Sequence, residues 1–238
     1  MSLRKLSLAV LLASPCGAQG VVHDGMIWGA AFGDHRIASK TSLYWDYQPR
    51  RAEYGSVWQI NLGAVGITRD LSKQWRATVA LGGSLGNRYG EFPTRTNLAE
   101  LRPWMQLTGT RKAGAFTWSD RTRAELRLLH AVGELAPADA DWQPSIVRLR
   151  RQDRLQHALT TDGRWYAAAS QEFLVNVHPA RARVAMLEQS RTQVLIGHQL
   201  SKHNRIETGY GLQRINRRGG FEMNHTLLFY LRTSVPLR

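Results

Sequence analysis

Cysteine is almost missing. The 238 residues contain one, Cys16, within the first eighteen positions. The rest of the chain can therefore build neither a disulfide framework nor a thiolate metal site. Long apolar runs are missing too. Beyond residue 18 no stretch of about eighteen apolar residues occurs, which excludes a membrane-spanning helix. His and carboxylate clusters with ligand spacing, phosphate loops and dinucleotide fingerprints are all lacking, so no metal or cofactor is expected. Acidic residues are few: Asp+Glu 18 against Lys+Arg 32, a formal charge of +14. The basic residues are nearly all arginine and are dispersed. With no zinc-finger spacing and no helix-turn-helix, this argues against a nucleic-acid partner.

What is present begins with a secretory leader. Arg4 and Lys5 precede an apolar core, Leu6 to Ala13, too short to span a bilayer. Small residues at Cys16-Gly17-Ala18 place cleavage after Ala18. Pro15 beside Cys16 fits lipoprotein attachment poorly. The expected organisation is a signal peptide at 1–18 and one exported domain at 19–238.

That domain alternates with period two, the periodicity of a strand. From Phe116 onward, Trp118, Thr122, Ala124, Leu126 and Leu128 fall on one face, and Ser119, Arg121, Arg123, Glu125 and Arg127 on the other. Trp58, Ile60, Leu62 and Ala64 likewise oppose Gln59, Asn61 and Gly63. Trp165, Ala167, Ala169, Phe173 and Val175 oppose Ser170, Glu172 and Asn176. Ile206, Tyr210 and Leu212 oppose Arg205, Glu207 and Gln213. Short connections near 69–73, 111–114, 161–163 and 200–204 alternate with longer ones at 86–97, 131–144 and 178–189. Short turns on one side and long loops on the other mark a membrane barrel. Trp28, Trp45, Trp58, Trp75, Trp118 and Trp165 fall near strand ends, as an interfacial girdle requires.

Eleven strands can be placed: 26–33, 41–47, 56–67, 74–85, 98–109, 116–130, 145–157, 165–176, 190–200, 204–215 and 222–232. Bacterial single-chain barrels have even counts. The expected fold is therefore an all-β, antiparallel, up-and-down transmembrane barrel of twelve strands, with ten as the alternative. One strand resists the scheme. Between Val147 and Leu155 the apolar face carries Arg151 and Asp153. A charge facing lipid at mid-depth costs about 2–4 kcal/mol. Either this strand rises above the lipid there or a bulge resets its register.

Several segments together resemble one family. Arg121-Thr122-Arg123-Ala124-Glu125-Leu126-Arg127, then Val147-Arg148-Leu149-Arg150, the Glu172 strand from Trp165 to Phe173, Arg191 to Gly197, Glu207-Thr208-Gly209-Tyr210 and Asn224-His225 are similar, in order and spacing, to the domain of unknown function 2490. The likeness runs through most of the exported part. It implies a small barrel of the Gram-negative outer membrane, and no assigned activity.

If the polar faces meet in one lumen, Arg102, Arg121, Arg123, Arg127, Arg148, Arg150, Arg191 and Arg205 come near Glu125, Glu172 and Glu207, with Glu100 and Arg154 beside them. Two readings follow: an ion-pair network that fills the barrel, or an arginine-lined path for anions. The leading expectation is a non-enzymatic outer-membrane barrel, either a narrow anion-preferring channel or an envelope-structure protein. Its expected partners are membrane lipid, lipopolysaccharide and the outer-membrane assembly machinery. Arg88, Arg95, Arg217 and Arg218 in the loops are candidates for lipopolysaccharide phosphates. A rival is a lipid-modifying hydrolase of deacylase or phospholipase type, needing a hydroxyl beside a histidine and a carboxylate behind it. His198 and His225 both lie on apolar faces, with no serine beside them on the same face. A soluble periplasmic ligand-binding β-sandwich is the third reading, since sandwich strands also alternate.

Overall fold

The computed structural model describes residues 20–177, 185–217 and 220–237. The expected leader at 1–18, with Cys16, and Arg218 lie outside the described residues. Alternation produces strands throughout: β1 (Gly20–Ala38), β2 (Thr41–Ala52), β3 (Val57–Asp70), β4 (Trp75–Gly86), β5 (Asn97–Ala113), β6 (Phe116–Val132), β7 (Gln143–Ala158), β8 (Trp165–Asn176), β9 (Leu187–Gln199), β10 (Asn204–Arg217) and β11 (Gly220–Thr233). Among the described residues the only helical turn is a 3-10 turn at Glu53–Gly55.

Each strand pairs antiparallel with the next, and β1 closes the barrel against β11. The count is eleven, neither twelve nor ten. Strands that reverse at every turn return antiparallel after an even number and parallel after an odd number. Accordingly β1 and β11 run parallel, in unbroken register from Gly20↔Gly220 to Gly33↔Thr233. The parity rule misled here because a parallel seam satisfies the backbone groups as completely as an antiparallel one. The eleven segments read from alternation were the right ones, although most strands extend beyond them.

The wall is inverted relative to a soluble protein. Leu81, Met105, Val79, Val65, Val194 and Phe229 are exposed on the outside, while Glu125, Glu172, Glu207, Arg148 and Asn224 are at most 4% exposed inside. A sandwich with an apolar core would show the opposite. The interior is packed nonetheless. Met26, Trp28, Tyr166, Ala168, Leu195 and Leu228 form an apolar island amid the charges. Trp28 is 3% exposed. It therefore belongs to this interior, and the girdle loses it; Trp58, Trp118 and Trp165 do project outward near strand ends.

Local sequence explains several details. Leu71-Ser72-Lys73 and Leu200-Ser201-Lys202 build the same turn. Ser72 Oγ accepts from the Gln74 and Trp75 amides, and Ser201 Oγ from those of His203 and Asn204. Glycines leave room for rings on the facing strand. Tyr166 lies over its register partner Gly197, and Trp75 over Gly109. A Cβ at Gly197 would stand 2.1 Å from the Tyr166 ring.

No bulge resets the register at Arg151 and Asp153. The β6–β7 register is unbroken from Phe116↔His157 to Arg127↔Ile146, so both face outward, between exposed Leu149 and Leu155. They pair with one another at 3.2 Å, and Arg151 also reaches Asp120 at 3.1 Å.

Candidate functional site

Inward positions of β5 to β10 bring the charged residues together. The register sets Glu125 opposite Arg148, Arg123 opposite Arg150, and Glu172 opposite Arg191. Glu172 accepts hydrogen bonds from Arg121 at 2.6 Å, Arg150 at 2.7 Å and Arg191 at 3.3 Å. Glu125 accepts from Arg148 at 2.6 Å and Arg150 at 2.9 Å, with Arg123 at 3.7 Å. Arg150 thus bridges two buried carboxylates. Glu100 binds Arg102 at 2.7 Å and Arg127 at 2.8 Å. Glu207 receives Arg154 at 2.6 Å, Arg232 at 3.1 Å and the Tyr166 hydroxyl at 2.9 Å. Charge-assisted bonds of this length to several donors fix every participant.

Cations exceed carboxylates in this interior. Arg123 lies 3.7 Å from the Trp104 ring and donates to Gln106. Arg50 stacks 4.0 Å over Trp28 and donates to Gln48. Arg191 lies 5.3 Å from the same Trp28 ring. Arg205, two residues from Glu207, and Arg50 make no ion pair among the described residues. An aromatic face and an amide oxygen hold Arg50 in place of a carboxylate, and such groups add to the carboxylate contacts of Arg123 and Arg191.

All the arginines and glutamates expected in the lumen are on inward positions. Several partners lie outside the expected set, Arg232 on Glu207 among them. Glu188 pairs with Arg148 at 3.3 Å and Arg127 at 3.6 Å; it lay in a segment read as loop, whereas β9 begins at Leu187. Arg50 lies beyond the expected end of β2 at residue 47; the strand runs on to Ala52. Trp28, expected at the interface, faces inward.

At the short-turn end, Arg76 joins Asp34 and Asp70 at 2.7 and 2.8 Å, and Arg36 joins Asp70 at 2.7 Å. At the long-loop end a cleft of about 250 Å³ is lined by Asp24, Glu53, Glu91 and Glu222 among others. Tyr89 donates to Glu222 at 3.3 Å. Burial, aided by the Glu222 charge, pushes the Tyr89 phenol up to about 12. Arg217 turns to Glu222 at 2.7 Å rather than outward, which removes it from the candidate phosphate contacts.

The histidines form outer-wall clusters near the strand ends. His198 packs against Trp165 with ring centroids 4.3 Å apart, at the short-turn end. His225 meets the Tyr210 hydroxyl at 2.6 Å and His23 at 3.0 Å, at the long-loop end. The hydroxyl is a phenol and the third member is a histidine, so the hydroxyl–histidine–carboxylate order that a hydrolase needs is not assembled there.

Fold and interior together define a class: a closed all-β barrel with an apolar outer wall and an arginine–carboxylate interior. Within that class the chain belongs to the family described as Protein of unknown function (DUF2490), whose model matches residues 25–224. No curated protein matches the sequence. Among solved structures a NanC porin, determined in a rhombohedral crystal form, is similar at 8% identity with a TM-score of 0.46, over 81% of this chain and 90% of that one. That likeness is too distant to transfer a function.

Proposed function

We propose that the protein is an outer-membrane barrel whose interior forms a narrow, anion-preferring path. The apolar, exposed outer wall supports the location, because such a surface is stable only against lipid. The excess of interior arginine supports the preference. Arg50 and Arg205 lack ion pairs among the described residues, and Arg123 and Arg191 are only partly matched. Fixed positive charge in a narrow bore raises anion occupancy and repels cations. The interlocked ion pairs and the apolar island keep that bore narrow, so small solutes are the expected cargo. Lipid covers the wall, Arg88 and Arg95 lie in the long loops beside lipopolysaccharide, and the assembly machinery inserts the chain. No cofactor is required.

The test is conductance in planar bilayers under a salt gradient. The expected result is small steps with a reversal potential of anion-selective sign. Arg50→Gln and Arg191→Gln should each move that potential toward zero. A sealed barrel, or selectivity indifferent to both substitutions, contradicts an arginine path.

A further inference from the structure

The outward charges on β7 belong to a larger patch. Asp120 lies opposite Asp153 and Thr122 opposite Arg151; Asp153 lies opposite Gln171, and Gln171 opposite Thr192. The polar outward positions of four neighbouring strands, β6 to β9, thus form one continuous stripe. Thr192 donates to Gln171, and Arg151 donates to Thr122 at 3.0 Å. Beside the stripe the wall dips into a shallow cavity of about 480 Å³, whose lining includes Trp118, Asp153, Leu155, Gln171 and Thr192.

Its height is the unusual feature. Asp153 stands five residues from the short-turn end of β7, Gln171 six from that of β8 and Thr192 seven from that of β9. At a rise of ~3.4 Å per residue and a tilt of ~40°, that is roughly 13–18 Å up the wall, within an apolar band ~25 Å tall. Other outward arginines, Arg69, Arg111 and Arg214, sit close to strand ends. The rest of the wall is apolar at this height, with Val65, Ile67, Val79, Leu81 and Met105 on β3 to β5. Lipid tails offer nothing to Arg151 and Asp153, each of which leaves 47% of its side chain exposed.

We propose that this stripe is the interface of a homodimer, a reading that rests on the membrane location above. The occupant that fits is a second copy, because the patch carries both signs side by side. A two-fold axis through it sets Arg151 of each copy against Asp153 of the other, an isologous contact that completes four exposed charges at once. Trp118, exposed at the rim, has the size to enter the partner's cavity. The dimer leaves the interior of each barrel unchanged.

Cysteine cross-linking tests this, since Cys16 belongs to the leader. Phe173→Cys, exposed on β8 opposite Arg151 and so beside the axis, is introduced into the full chain, with Val79→Cys on β4, three strands from β7, as control, and outer-membrane fractions are oxidised with copper phenanthroline. The expected result is a dimeric product at Phe173→Cys and none at Val79→Cys. Adding Arg151→Glu should abolish that product by setting like charges together, and Arg151→Glu with Asp153→Arg should restore it. A heat-modifiable outer-membrane barrel that gives no product at Phe173→Cys, equal product at both sites, a product with another protein, or a yield indifferent to the charge swap overturns the dimer while leaving the location intact. Recovery of the chain as a soluble protein overturns the location and the dimer with it.

Discussion

Glu125 and Glu172 are the residues on which the interior turns. Each is nearly inaccessible and neutralises several guanidiniums. Removing one charge leaves buried cations uncompensated, which costs more than the pair itself contributes. Glu172→Gln is therefore expected to destabilise the barrel by about 3–5 kcal/mol, read as a lower urea midpoint for loss of the unboiled gel band. Gly197→Val should also destabilise, since its side chain meets the Tyr166 ring; about 1–3 kcal/mol is the usual cost of such overpacking. Tyr89 gives a pH signature. Its folded-state value is raised to about 12 from an ordinary 10, so the folded state holds the proton more tightly than the unfolded one. The stabilisation is complete below pH 10 and is lost as pH rises through about 12. A difference titration at ultraviolet wavelengths between the native chain and Tyr89→Phe should show this one phenol ionising late; a difference centred at pH 10 would refute the burial argument.

At the scale of the strand, alternation carried nearly everything. It located all eleven strands and assigned the charged face of β6 correctly, because period-two patterning survives whichever side is apolar. It could not delimit β1, whose ends Gly20-Val21-Val22 and Asp34 to Ala38 do not alternate, nor the end of β2 from Gln48 to Ala52. It also could not show that Arg151 and Asp153 pair two positions apart on one face of a single strand, which depends on side-chain geometry. The parallel seam was illegible for another reason: closure is a property of the whole circuit, and each strand reads the same in either arrangement. The seam has a direct test. Ile27 and Leu227 are register partners of β1 and β11. The double variant Ile27→Cys with Leu227→Cys should form an intramolecular disulfide on oxidation, detectable as altered mobility without reductant. Ile27→Cys with Leu81→Cys should not. Failure of the first pair in a folded barrel would argue against eleven-strand closure.

For the whole molecule, the odd count separates the two ends of the sheet. β1 begins at the end that carries the loops at 87–96 and 133–142, while β11 finishes at the end of the short turns. In the proposed orientation, with long loops outward, the start of β1 lies at the cell surface and the end of β11 in the periplasm. An epitope placed before Gly20 should be reached by antibody on intact cells, and one placed after residue 237 should not. The interior site was legible as a set of residues but not as a balance. The sequence names the arginines and glutamates, yet only their spatial pairing reveals which cations, Arg50 and Arg205 among them, make no ion pair among the described residues. The central claim beneath all of this is that the inverted wall faces lipid. It is tested most directly by fractionating cells and comparing boiled with unboiled protein on a gel. The account predicts recovery in the outer membrane with a mobility that shifts on heating; a soluble periplasmic chain with one mobility would contradict it.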